Sequence, residues 1–197
     1  AAATASTPVP STCPSSTRSD RASATPALAE EPGQGFAGSY LAARHASYNS
    51  DYRAAADYYI RALSRDRLNP QLQENALLAY IGLGNIEMAV PIARQMETTG
   101  ATSQIANMVL IGYLLKSEKY DEALDGLDGD MTVGPLVDGL VRAWSQMGAG
   151  DVDAAMASFD AAASDTGLAA FGLYHKALAL ALAGDFEAAE EVFSGDS

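Results

Sequence analysis

Two histidines, a run of aspartates, a glycine-rich turn and an acidic cluster are the residues here whose type and spacing suggest chemistry. His45 and His175 have no Glu or His partner at metal-ligand spacing, so each is expected on a helix surface. Asp125, Asp128 and Asp130 stand in Asp-Gly-Leu-Asp-Gly-Asp, which superficially suggests calcium. The ligand spacing is wrong for an EF-hand and no Glu closes the loop, so a solvated loop between helices is expected. Gly82-Leu83-Gly84 follows a helical pattern instead of a strand and lacks the Lys-Ser/Thr of a phosphate loop. No Gly-x-Ser-x-Gly nucleophile elbow occurs. Glu187, Glu190 and Glu191 read as a solvated face. The expectation is a chain with no catalytic residue, no metal site and no cofactor.

Charge narrows the partners. The 197 residues carry a formal net charge of −13. Residues 36–70 hold five Arg against Asp51, Asp57 and Asp66, a balance of +2, whereas residues 71–197 hold five cations against nineteen carboxylates, a balance of −14. An acidic body repels phosphate backbones and anionic lipid surfaces, so nucleic acid is not expected as a ligand. Basic or apolar protein surfaces remain open.

The single cysteine, Cys13, excludes an internal disulfide framework, and the sequence before it lacks the apolar residues of a lipid-attachment motif. No apolar run reaches the roughly 18 residues of a membrane span. Ala27-Leu28-Ala29 before Glu30-Glu31-Pro32 has the form of a signal-cleavage site, but Ser15 to Thr25 upstream are polar, so chance occurrence in Ala-rich sequence is the preferred reading. With no starting Met and a last stretch that stops just after a helical pattern, the chain is expected to be a piece of a longer protein.

Residues 1–35 are rich in Ala, Ser, Thr and Pro and are expected to be disordered, because they cannot bury enough apolar surface to offset their ordering entropy. From Phe36 the pattern becomes helix, turn, helix. Five segments share one form, a small turn followed by an aromatic or aliphatic residue and, three places later, alanine. They are Ser50-Asp51-Tyr52-Arg53-Ala54-Ala55, Gly84-Asn85-Ile86-Glu87-Met88-Ala89, Glu118-Lys119-Tyr120-Asp121-Glu122-Ala123, Gly150-Asp151-Val152-Asp153-Ala154-Ala155 and Gly184-Asp185-Phe186-Glu187-Ala188-Ala189. The last alanines are separated by 34, 34, 32 and 34 residues. That regularity is the strongest signal in the chain.

Each segment opens a helix with a buried stripe. Tyr52, Ala55, Ala56, Tyr59, Ala62 and Leu63 share one helical face, and Val152, Ala155, Met156, Phe159, Ala162 and Ala163 repeat its spacing. Asp51, Asn85, Asp151 and Asp185 stand where a side chain accepts from free first-turn N–H groups. A further helix precedes each turn, over roughly 38–49, 71–83, 104–116, 136–147 and 170–183. Short connections make each pair an antiparallel hairpin, which buries its apolar face only by stacking on the next.

A 34-residue helix–turn–helix period with a Gly-Asp-aromatic-x-x-Ala turn resembles the tetratricopeptide repeat (TPR) family over residues 36–197. The resemblance implies an all-α, right-handed α-solenoid of about four and a half units, at 36–70, 71–103, 104–135, 136–169 and a truncated 170–197. The family's small residue in the first helix matches Ala43, Ala143 and Ala177, with Leu77 and Ile111 departing. Its large residue in the second helix matches Tyr59, Phe159 and Phe193, with Leu127 a substitute and Ala93 a departure. The unit-closing proline is displaced to Pro70. Pro91 falls inside a second helix, where a kink or a late start is expected.

In that family the first helices line a concave groove for a peptide or helix. Phase nominates Tyr40, Arg44 and Tyr48, then Glu74 and Leu78, then Met108, Gly112 and Leu115. Leu140, Trp144 and Met147 follow, and Tyr174 and Leu178 complete the set. The Lys/Asn set with which some members clamp a terminal carboxylate is missing, so that activity is not implied. Met108, Leu140 and Leu178 equally suit packing between helices; Trp144 and Tyr174 suit ligand contact better.

The resemblance therefore implies a non-catalytic scaffold or adaptor whose groove binds an apolar or amphipathic partner segment. The alternative is a regulatory or targeting region of a larger enzyme or peptide-sensing regulator. Self-association through an uncapped C-terminal end is a third expectation. Likeness to exported bacterial repeat proteins, with the Ala-Leu-Ala motif, favours a bacterial periplasm or envelope location over the cytoplasm.

Overall fold

The computed structural model describes residues 35–101, 103–164 and 167–195. Ten helices and no strand occur among the described residues: α1 (Phe36–Tyr48), α2 (Tyr52–Leu63), α3 (Pro70–Gly82), α4 (Ile86–Thr98) and α5 (Gln104–Lys116), then α6 (Tyr120–Asp128), α7 (Pro135–Ala149), α8 (Val152–Ala163), α9 (Ala169–Ala183) and α10 (Phe186–Ser194). Apart from Gly35, the segment 1–35 expected to be disordered lies outside the described residues, as do Cys13 and the Ala27-Leu28-Ala29 motif. No helix among the described residues is long and apolar enough to cross a membrane.

The same turn is built five times. Its N–H groups bond back to the ending helix in the paired pattern of a Schellman closure, as Gly84 to the carbonyl of Ile81 (2.9 Å) and Asn85 to that of Tyr80 (2.9 Å). Equivalent bonds from Asp51, Lys119, Asp151 and Asp185 measure 2.9–3.0 Å. The residue before each of these has positive φ: Ser50 (58°), Gly84 (68°), Glu118 (57°), Gly150 (88°) and Gly184 (89°). In four turns the next residue also opens the following helix. Asp51, Asn85, Asp151 and Asp185 accept from the N–H of Ala54, Met88, Ala154 and Ala188. Lys119 makes no such side-chain cap. One residue thus closes a helix and starts another.

Each helix packs on the next along the chain, and among the first helices α3 packs on α5 and α7 on α9. Of the five alanines that carry the period, Ala55, Ala89, Ala123 and Ala155 have no exposed surface and Ala189 is 6% exposed. Between α1 and α5 they are surrounded by larger buried groups such as Tyr59, Leu72, Leu77, Met96 and Val109. In α7–α10 the buried apolar residues are alanines plus Phe159. Glycine permits close approach where aromatic rings or neighbouring helices cross. A Cβ at Gly82 would lie 2.6 Å from the Tyr52 ring, and one at Gly148 2.5 Å from that of Tyr120.

Three ion pairs each join a first helix to the second helix of the preceding hairpin: Lys116–Glu87 (2.6 Å), Arg142–Asp128 (2.7 Å) and Lys176–Asp160 (2.6 Å). The hydrogen bond from Lys116 holds the Glu87 carboxyl below the usual glutamate range, aided by a backbone bond and the ammonium charge. At exposed sites such pairs contribute little stability.

Several expectations are corrected. The first helices fall within two residues of their expected spans, but α4 begins at Ile86 and continues through Pro91 to Thr98, with no late start. Asp125 and Asp128 belong to α6, leaving only Asp130 in the following loop. Tyr52 and Val152, assigned to the buried stripe, are about two-fifths exposed because they sit in the first turn, at the edge of the packed face. Phe193, in the repeat position of buried Phe159, is 62% exposed, and no described helix follows α10 to cover it.

Candidate partner-binding groove

Two positions on each first helix carry the candidate surface. The first runs Tyr40, Glu74, Met108, Leu140, Tyr174; the second runs Arg44, Leu78, Gly112, Trp144, Leu178. Repeat spacing aligns them, so whatever one helix offers is followed by its counterpart on the next.

Leu78, Met108, Tyr174 and Leu178 are exposed, the first two at 48% each. Gly112 leaves a gap between them: a Cβ there would meet nothing within 4 Å. Tyr48 is almost wholly exposed, at the outer end of α1. Leu115 is half-buried beside Gly112.

The remaining candidates already have intramolecular partners. The Tyr40 ring stacks on Phe36 and lies beneath the Arg44 guanidinium, 5.9 Å from its centroid. Glu74 accepts a 2.7 Å hydrogen bond from Ser103 Oγ, tying α3 to the start of α5. Leu140, Trp144 and Met147 are half-buried against the cluster around Phe159. Trp144 meets the Phe159 ring edge-on at 5.4 Å.

His175 departs from expectation. Instead of lying on an open helix surface it is half-buried, and Trp144 Nε1 donates to its Nδ1 at 3.1 Å. An imidazole nitrogen that accepts carries no proton, so the tautomer consistent with this bond has its proton on Nε2. The Tyr174 ring sits edge-on to the same imidazole at 5.6 Å. Trp144, Tyr174 and His175 therefore form one aromatic cluster across α7 and α9. His175 precedes Leu178 by three residues, which puts both on one side of α9; that spacing was the available sequence signal. From the sequence His175 is expected on a helix surface, and its packing against Trp144 is not foreseen.

Among the described residues, no three His, Cys, Asp or Glu side chains gather as a metal site. Asp128, one of the aspartates weighed for calcium, is paired with Arg142. What these candidate positions offer is apolar area, aromatic edges and a few polar atoms.

Solved structures with the same arrangement of helices exist. MamA from Desulfovibrio magneticus RS-1 superposes with a TM-score of 0.68 at 15% identity, covering 82% of this chain and 94% of that one. A crystal structure of MamA protein gives 0.67 at 16% identity, with 82% and 90% covered. A MamA double mutant from strain RS-1 gives 0.67 at 14% identity, with 82% and 93% covered. The fold is a TPR-like helical-repeat solenoid. No protein-family model matches the sequence, and no curated protein matches it either. At such identities the likeness carries the fold and nothing about ligands.

Proposed function

We propose that this chain is a non-catalytic scaffold whose first-helix face holds an apolar or amphipathic segment of another protein. The observation that carries this reading is the run of exposed Leu78, Met108, Tyr174 and Leu178 at repeated positions, with open space at Gly112. Large apolar side chains left to solvent in register supply the contact area and adaptable packing that interfaces use. The Trp144–His175 hydrogen bond ties α7 to α9 along this face.

Capture of partners from a native lysate by the full chain, beside a Leu78→Glu/Met108→Glu/Tyr174→Glu variant, tests the reading. A protein held by the parent and released by a variant with unchanged helical circular dichroism supports it. Equal capture by both rejects the groove.

A second reading, self-association, rests on Leu182, Phe186 and Phe193, which are 72%, 70% and 62% exposed on the last hairpin. Sedimentation of the parent against Phe186→Ser/Phe193→Ser distinguishes it: a concentration-dependent mass must disappear in the variant.

A further inference from the structure

A cavity of about 350 Å³ opens where the ends of α4 and α6 meet the first turn of α5, and its lining includes none of the first-helix positions described above. It is formed because α6 stops at Asp128 and the chain folds Met131 back over Gly126, where a Cβ would lie 3.1 Å from the sulfur. One wall is apolar, made by Ala101, Ala106 and Met131. Glu97, Asn107 and Asp130 are the lining residues whose side chains carry polar groups.

All three offer acceptors. Asn107 spends its amide N–H groups on the carbonyls of Asp130 (3.3 Å) and Thr132 (2.8 Å), which leaves Oδ1 to accept. Neither Glu97 nor Asp130 pairs with a cation of the described chain. Four of the five cations in residues 71–197 are already in ion pairs elsewhere: Lys116, Lys119, Arg142 and Lys176. The last carbonyls of α4 and α6 accept from the chain's own N–H groups, at Met96 from Ala101 and at Gly126 from Met131, so the charge of the site rests on its side chains. At the start of α5, Ser103 Oγ already takes the Ala106 N–H.

We propose that this cavity binds one alkyl cation, an ammonium or guanidinium on a short aliphatic stem. The stem lies on Met131, Ala101 and Ala106, and the head donates to Glu97, Asp130 and Asn107 Oδ1. Its volume is near the lower end of small-ligand pockets, roughly 300–1,000 Å³. A Lys or Arg side chain of a protein partner and a free amine share this chemistry. The site stands independently of the groove.

Amide NMR titration of the full chain with butylammonium, butylguanidinium and an acetyl-Gly-Arg-Gly-amide peptide tests it, with the citrulline analogue of the peptide as the neutral control. Saturable shifts at Gly100, Ala101, Gly129 and Met131 are expected for the cations and not for the control. Glu97→Gln/Asp130→Asn should weaken binding roughly tenfold or more, the loss of at least one charge-assisted hydrogen bond, while distant amides keep their positions. Tighter binding of the peptide than of butylguanidinium identifies a protein side chain as the source; equal binding identifies a small free cation. Absence of saturable shifts overturns the proposal. So do shifts spread equally over Glu187, Glu190 and Glu191, or binding unchanged in the double variant.

Discussion

In α1–α6 the seams between hairpins are filled by large side chains such as Leu72, Leu77, Met96 and Val109, set among alanines. In α7–α10 alanine and glycine do most of the filling, and helices approach until backbones touch: a Cβ at Gly172 would stand 2.6 Å from the Ala163 backbone nitrogen. One repeat therefore accommodates two packing strategies. The first draws stability from apolar volume and the second from close approach around one large group, Phe159. They should respond differently to substitution.

The largest effect is expected from Phe159→Ala. It removes the one large side chain that is wholly buried among the described residues of α7–α10 and should cost about 4 kcal/mol. Urea unfolding with hydrogen exchange should show α7–α10 opening first while α1–α5 stay protected; uniform loss across the chain would erase the contrast. Next is Gly172→Ala, which must push α9 off α8 and is expected to cost about 3 kcal/mol. Its control is Gly112→Ala, at a site with open space, where helix propensity should add up to about 1 kcal/mol of stability. Equal destabilisation by both would mean that close approach is not what holds the second region.

Ser145→Ala should stabilise. Its hydroxyl is fully buried on α7 with no hydrogen-bond partner among the described residues, and the buried Ala79 and Ala179 occupy the same repeat position. A gain of about 1 kcal/mol in thermal or urea unfolding is expected from removing an unsatisfied donor. The smallest effect belongs to a turn. Glu118→Gly relieves a side chain held at φ 57°, offset by the greater freedom glycine has when unfolded, for a net gain of about 0.5 kcal/mol. A loss of stability on denaturant unfolding would show that Glu118 contributes more than its turn.

Much of the fold was legible because its signals are local. Alanines at a fixed spacing and Asp or Asn at four turns determine helix starts without reference to the rest of the chain. Glu118 and Ser50 in left-handed conformation were not legible, since neither residue type asks for that geometry. Pro91 inside a second helix was legible, but the late start allowed for there does not occur. Of the candidate groove, phase identified the aligned positions. It could not say that Trp144 would engage His175, or Glu74 the hydroxyl of Ser103, because those bonds join different hairpins. Long-range partners decide which members of an aligned row face solvent.

The shared residue at each hairpin turn has a consequence for how such a chain changes length. From Tyr48 to Tyr52, Gly82 to Ile86 and Lys116 to Tyr120 the step is the same, and the last two turns are one residue tighter. The segments from Tyr52 to Pro70, Ile86 to Gln104, Tyr120 to Pro135 and Val152 to Ala169 differ more, with α6 the shortest of these second helices. A residue that ends one helix while beginning another leaves no slack for insertion beside it. Insertions and deletions in a tandem chain of this kind therefore collect at the joints between hairpins, where the 129–134 loop lies.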